Sequence, residues 1–226
     1  MTQFLISIMD ITPLSDSLSG DKALYDKAFK LVPGYRQQKI CNLKNDAAKS
    51  LADNTPLAKK LPFPVTVSDA ASTYMQEYDY ETACGANGKP YFNGYADLHF
   101  NLSHSGNFAV CIVAGMPCGI DIEGNRPFKP SVAKRFFSKT EYHWIYDTEN
   151  VSVQAERFFR LWTLKEAYAK ATGNGIAAEI HAASYVPDTD SNGLCFADSE
   201  TAAHFQIKEA AYDGLRIAAV LSDSAF

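Results

Sequence analysis

The stretch LHFNLSHSGNFAVCIVAGMPCGIDIE, residues 98–123, decides how the chain is read. From Leu98 to Leu102 apolar and polar residues alternate, the period of two that a half-buried strand requires. Ser105-Gly106-Asn107 has turn composition, and Phe108 to Ala114 is an apolar run of strand length. Gly115-Met116-Pro117 turns the chain again, into Gly119–Glu123. The three segments read as a meander of three antiparallel strands. Residues two apart on a strand share a face, so Asp121 and Glu123 point one way and Ile120 and Ile122 the other.

Outward from this stretch, Phe4 to Met9 reads as a buried strand. Gly20–Leu31 and Gly34–Leu51 read as helices separated by Pro33-Gly34, and the second carries Arg36, Lys39, Lys44 and Lys49. Leu61-Pro62-Phe63-Pro64 is a loop, and Cys84–Pro90 is a Gly/Asn turn region. Downstream, Pro127–Asp147 reads as two short helices, with Ser138 and Glu141 at capping-box spacing. A long helix runs from about Ser152 to Thr172 and stops at Gly173. Ala183–Val186, Phe205–Lys208 and Leu215–Leu221 read as late strands. The result is an α+β protein. The Gly115–Cys118 turn is the natural midpoint between an N-terminal α+β subdomain, 1–116, and a C-terminal one, 117–226.

At 226 residues the chain can bury a core without disulfide or metal staples. A 46% hydrophobic content excludes a mainly disordered chain. The formal net charge of -5 argues against a nucleic-acid binder, which needs a basic footprint. Cysteines at 41, 84, 111, 118 and 195 form no C-x-x-C pair, so they read as reduced thiols of a cytoplasmic protein without a zinc site. Met1–Met9 is apolar but lacks a basic flank, and no apolar run is long enough to span a bilayer, so no membrane association is expected.

Three clusters could carry chemistry. Asp121 and Glu123, side by side on a strand, repel one another unless a cation lies between them, which suits a hard divalent ion; the alternative is a solvated strand face. Glu166 and Lys170 stand one above the other on the long helix, either as a surface ion pair or as a metal-completing carboxylate beside a phosphate-neutralising cation, with Lys165 adding a second cation. Ser103-His104-Ser105-Gly106 offers hydroxyls, an imidazole and backbone N–H groups that could hold a phosphate, or is ordinary turn chemistry. No G-x-S-x-G elbow surrounds Ser103 and no Gly-rich phosphate loop surrounds Gly88-Lys89-Pro90.

Together, in this order and spacing, Asn-Gly-Lys-Pro90, Phe-Asn-Leu-Ser-His-Ser-Gly106, Gly-Ile-Asp-Ile-Glu123, Arg135-Phe-Phe-Ser-Lys-Thr-Glu141 and Leu-Trp-Thr-Leu-Lys-Glu-Ala-Tyr-Ala-Lys170 resemble the 4'-phosphopantetheinyl transferases of the surfactin-synthetase-activating (Sfp) type. The motifs run from about Gly88 to Gly175. The resemblance implies two similar α+β subdomains related by a pseudo-twofold axis, with the active site in the cleft between them. It implies Mg²⁺-dependent transfer of the 4'-phosphopantetheine arm of coenzyme A to a serine of an apo acyl or peptidyl carrier protein, releasing 3',5'-ADP. A monomer is the family-level expectation.

Carried over by resemblance, Asp121, Glu123 and Glu166 hold the metal, and Glu166 is also the base toward the carrier serine, directly or through a water. Lys170 assists at the pyrophosphate and Lys165 is a second phosphate-side lysine. Ser103 and His104 contact coenzyme A phosphates, Lys89 lies on the adenine side, and Lys49, Arg36 and Lys39 are candidates for the 3'-phosphate. Lys129, Lys134, Arg135 and Lys139 form a basic cluster that could meet an acidic carrier helix, or a solvated face, while Glu141 reads as a helix cap. Two other functions fit the same residues: a Mg²⁺-dependent phosphate-ester hydrolase acting on coenzyme A-like substrates, and a catalytically silent module that binds coenzyme A or a carrier.

Overall fold

The structure, a computed structural model, describes residues 4–10, 65–67, 82–85, 87–106, 108–124, 126–212 and 214–223. Strand β1 (Phe4–Asp10) lies between β2 (Val65–Val67), which is parallel to it, and β6 (Phe108–Ala114), which is antiparallel. β5 (His99–Ser105) pairs with the other edge of β6, completing a four-stranded sheet in the order β2-β1-β6-β5. β3 (Thr82–Cys84) and β4 (Pro90–Phe92) form a hairpin beside it. The expected α+β class is what the fold shows.

The expected three-stranded meander is corrected. β7 (Cys118–Gly124) leaves the first sheet and pairs with β11 (Leu215–Ser222), which pairs in turn with β10 (Phe205–Tyr212). The reason is steric: both edges of β6 are already taken, by β1 and by β5. The two sheets nevertheless share a core. Ile6, Val110 and Ile112 of the first meet Ile120, Ile122, Ile217 and Leu221 of the second, all essentially inaccessible to water.

Helices α1 (Pro130–Phe136) and α2 (Lys139–Tyr146) follow β7 as expected. Both hydrogen bonds of the Ser138/Glu141 capping box are formed. The long helix α3 (Val151–Thr172) starts at Asn150, whose side chain accepts from the Ser152 and Val153 N–H groups, and stops at Gly173 with φ 77°. Its apolar side, including Phe158, Leu161, Leu164 and Tyr168, packs a second core with α2, β8 (Tyr185–Pro187) and β9 (Leu194–Phe196). The short helices α4 (Ile176–Glu179) and α5 (Ser199–His204), and the strand β9, were not foreseen.

The backbone of α3 is pressed against β7 at Gly119. A Cβ there would lie 2.1 Å from Ala167 O and 2.4 Å from Ala171 N. Only glycine permits this approach, and it brings the Glu166–Lys170 turn of α3 over the Asp121 face of β7. The helices expected over 20–31 and 34–51, the 61–64 loop, and with them Arg36, Lys39 and Lys49, lie outside the described residues.

Candidate active site

Strand alternation in β7 is as expected. Ile120 and Ile122 enter the shared core, and Gly119, Asp121 and Glu123 face α3. Asp121 is 5% exposed. Its Oδ1 accepts from Lys170 Nζ at 2.6 Å and from Ser103 Oγ at 2.7 Å. Lys170 Nζ also donates to Ser103 Oγ at 3.0 Å and to Ile120 O at 3.1 Å, which occupies all three of its hydrogens. Asp121 Oδ2 is buried and has no hydrogen-bond partner. Glu123 accepts from Arg126 Nη1 at 2.7 Å.

Glu166 and Lys170 line a cleft of about 120 Å³ with Asn87, Lys89, Asn101 and Gly173. Burial pushes the Glu166 carboxyl up to about 7, and the Asp121 charge adds to the rise, with Lys170 opposing it and Glu123 reinforcing it. The far wall is the β3–β4 turn. Lys89 Nζ donates to Ala171 O at 2.6 Å and Asn87 Nδ2 to Gly173 O at 3.1 Å, so both satisfy carbonyls at the C-terminus of α3. Burial lowers the Lys89 pKa.

Does this donor set suit a divalent cation? The chemistry does: every side-chain donor is a carboxylate oxygen, as hard cations prefer, and Asp121 presents a buried oxygen that lacks a partner. Among the described residues no three acidic, His or Cys groups are closed into a cluster. Lys170 and Arg126 occupy two of the three carboxylates, so a cation would compete with the protein's own positive charges.

Ser103, expected at a phosphate, is buried against Asp121. Its neighbour His104 is exposed, on the opposite face of β5. Lys165 requires a correction. It is 2% exposed and points away from the cleft. Its Nζ reaches Ile180 O at 3.0 Å, Ala183 O at 2.7 Å and Glu141 Oε1 at 3.2 Å, so no hydrogen remains for a phosphate. Glu141 is the helix cap expected and more: it also accepts from Tyr185 N at 2.9 Å. Burial lowers the Lys165 pKa, against the raising effect of Glu141.

Two residues escaped notice in the sequence. Asn101, 4% exposed, accepts from Ile120 N at 3.0 Å through Oδ1 and lines the cleft. Gly119 sets the approach of α3. The signal for each was strand alternation, since they stand two residues before Ser103 and Asp121 respectively.

Residues 117–220 match the family model of the 4'-phosphopantetheinyl transferase superfamily. A 4'-phosphopantetheinyl transferase of Bacillus subtilis is 43% identical over 93 residues, which are 41% of this chain and 41% of the relative. 4'-phosphopantetheinyl transferase psf-1 of Bacillus pumilus is 44% identical over 107 residues, 46% of this chain and 43% of its own length. 4'-phosphopantetheinyl transferase HetI of Nostoc sp. is 45% identical over 107 residues, with coverages of 45% and 43%. The chain thus spans less than half the length of these curated relatives. A Thermotoga maritima holo-[acyl-carrier-protein] synthase aligns over 49% of this chain and 64% of its own at 17% identity and a TM-score of 0.38, too distant to carry an argument. The matched segment, residues 117–220, holds Asp121, Glu123, Glu166 and Lys170 and is similar to the 4'-phosphopantetheinyl transferase superfamily.

Proposed function

We propose that this protein transfers the 4'-phosphopantetheine arm of coenzyme A to a serine of an apo acyl or peptidyl carrier protein. The observation that carries this reading is that Lys170, which lines one cleft with Glu166, holds Asp121, all three within the segment that matches the superfamily. The serine Oγ–P bond forms, the bond between the phosphoryl group and the bridging oxygen of 3',5'-ADP breaks, and the serine proton leaves to a base.

Glu166 is the candidate base. Burial raises its carboxyl in the metal-free site, a bound cation would lower it again, and it accepts the proton directly or through a water. Lys170 faces the leaving pyrophosphate oxygen once it releases one of its present acceptors. Asp121, Glu123 and Glu166 would hold Mg²⁺, which when bound supplies positive charge against the transferring phosphoryl group. Lys89 and Asn87 form the cleft wall on which the adenine side of coenzyme A would rest. His104 remains a candidate phosphate contact, and Arg36, Lys39 and Lys49 candidates for the 3'-phosphate. Exposed Lys129, Lys134, Arg135 and Lys139, on and beside α1 and α2, form the face offered to an acidic carrier helix.

The subdomain division at 116/117 is supported by β7 leaving the first sheet there and by the superfamily match beginning at residue 117. Pseudo-twofold symmetry, a monomeric state and a cytoplasmic location belong to the same proposal. No helix among the described residues is long and apolar enough to cross a membrane.

The test is intact-mass spectrometry of an apo carrier protein incubated with this protein, coenzyme A and Mg²⁺, beside an EDTA control. A metal-dependent gain of one phosphopantetheine on the carrier serine is the expected result. Coenzyme A consumed without carrier gain would make the protein a hydrolase. Coenzyme A bound and left intact with every carrier type would make it a silent binder.

A further inference from the structure

We infer that Asn101 binds the coenzyme: its carboxamide Nδ2 donates to an acceptor atom in the 3',5'-ADP half of coenzyme A, in the cleft that Lys170 also lines. This rests on the proposed transfer from coenzyme A and adds to that site a neutral donor, two residues before Ser103 on β5.

Asn101 is 4% exposed, yet it is one of the residues that line the cleft. One end of its carboxamide lies 3.0 Å from Ile120 N. A backbone N–H only donates, so the end that meets it is the oxygen, and chemistry fixes which end is Nδ2. The group is planar. Once the β7 backbone holds Oδ1, the direction of Nδ2 is held too. The Ile120 bond is the side chain's one hydrogen bond among the described residues, so neither Nδ2 hydrogen has an acceptor there. A donor kept nine-tenths buried without an acceptor is costly unless something supplies one. At the wall of a cleft, that something is a ligand.

The neighbouring donors narrow what it meets. Asn101 takes the N–H of Ile120 and Lys170 donates to the carbonyl of the same residue. All three Lys170 hydrogens are engaged, by Asp121, Ser103 and Ile120. Asn87 and Lys89 each spend a hydrogen on the carbonyls at the end of α3. Asn101 therefore brings two uncommitted hydrogens to a cleft whose other walls are proposed for the pyrophosphate and for the adenine side. Phosphate oxygens and adenine ring nitrogens are both acceptors, and both belong to 3',5'-ADP. A neutral amide serves either without placing a further charge beside Glu166.

The test titrates coenzyme A, and separately 3',5'-ADP, into the full chain in EDTA by calorimetry, for wild type, Asn101→Asp and Asn101→Ala. The aspartate is nearly isosteric and keeps an oxygen for Ile120 N–H, but it replaces the amide hydrogens with a second acceptor. Asn101→Asp should weaken both ligands about 10-fold or more, and more than Asn101→Ala does. In parallel, the side-chain N–H pair of Asn101 in wild type is followed by nitrogen–proton correlation spectroscopy, identified by its loss in Asn101→Asp. It should shift on saturation with 3',5'-ADP. A pair that does not move overturns the inference whatever the affinities. Asn101→Asp binding both ligands like wild type, with Asn101→Ala alone impaired, overturns it in favour of a structural role. A loss confined to coenzyme A overturns it by moving the contact to the pantetheine arm. Wild type that binds neither ligand removes the proposed function itself.

Discussion

Gly119→Ala is the most demanding test of the β7–α3 contact. The added Cβ would sit 2.1 Å from Ala167 O, 2.4 Å from Ala171 N and 2.8 Å from Lys170 C. All three are helix backbone, so no rotamer change relieves them. Reaching even 3.0 Å from Ala167 O requires α3 to retreat by about 0.9 Å, the difference between those two distances. Overpacking of this kind typically costs about 1–3 kcal/mol. At about 2–4 °C per kcal/mol for a chain of this size, the midpoint of thermal unfolding should fall by several degrees. The retreat carries Glu166 and Lys170 away from Asp121, and the 2.6 Å Lys170–Asp121 contact would open unless the lysine re-extends. Misplacement of about 1 Å at reacting groups costs on the order of 100-fold in rate.

The assay pairs urea unfolding with initial rates of carrier loading at saturating coenzyme A and Mg²⁺. Gly124→Ala is the control on the same strand, because its Cβ would meet Leu215 Cδ2 and Ser105 Oγ at ordinary distances of 3.7 and 3.8 Å. It should behave as wild type. If Gly119→Ala keeps wild-type stability and rate, the close approach does not set the site, and the reasoning is refuted.

Asp121→Asn keeps an acceptor for Ser103 and Lys170 but removes the charge, so loading should fall by about 100-fold or more while the chain stays folded by circular dichroism; near-normal turnover would remove the metal assignment. Lys165→Met leaves Glu141 buried and without its cation, and should cost about 3–5 kcal/mol in urea unfolding with coenzyme A affinity kept. The reverse pattern, stability kept and affinity lost, would restore Lys165 to the phosphate. Burial pushes the Cys111 thiol up to about 11 and the Cys118 thiol up to about 12, so the thiolate each needs for reaction is scarce at pH 8. Iodoacetamide mapped by peptide mass spectrometry should therefore modify exposed Cys84 well before either; equal labelling would contradict the buried positions.

Local patterns were readable in the sequence, and long-range pairing was not. The two-residue period placed Asp121 and Glu123 on one face because that face is a property of the strand alone. Ser138 with Glu141, and Gly173 after α3, are signals within one helical turn. The partner of β7 is different. Asp121 stands opposite Ala218 in β11, almost a hundred residues on, and nothing near either residue announces the pairing. The turn at Gly115–Pro117 showed that the chain reverses; it could not show that β6 had no free edge left.

Lys165 and Glu166 show where a motif match and a physical reading part company. The match treats the two as adjacent functional residues, yet on a helix neighbours point about 100° apart. The residues at i−4, i+3, i+4 and i+7 from Lys165 are Leu161, Tyr168, Ala169 and Thr172, and all four are buried. The same spacing from Glu166 gives Trp162, Ala169, Lys170 and Gly173, of which only Ala169 is buried. Its buried neighbours therefore place Lys165 in the interior, where an ammonium needs acceptors for each of its hydrogens. The chain supplies them from two backbone carbonyls and Glu141, all on elements that flank α3. By anchoring there, Lys165 resists rotation of α3, and the orientation of the next residue toward the cleft depends on that rotation. Lys165 thus holds the long helix from the side facing away from the cleft.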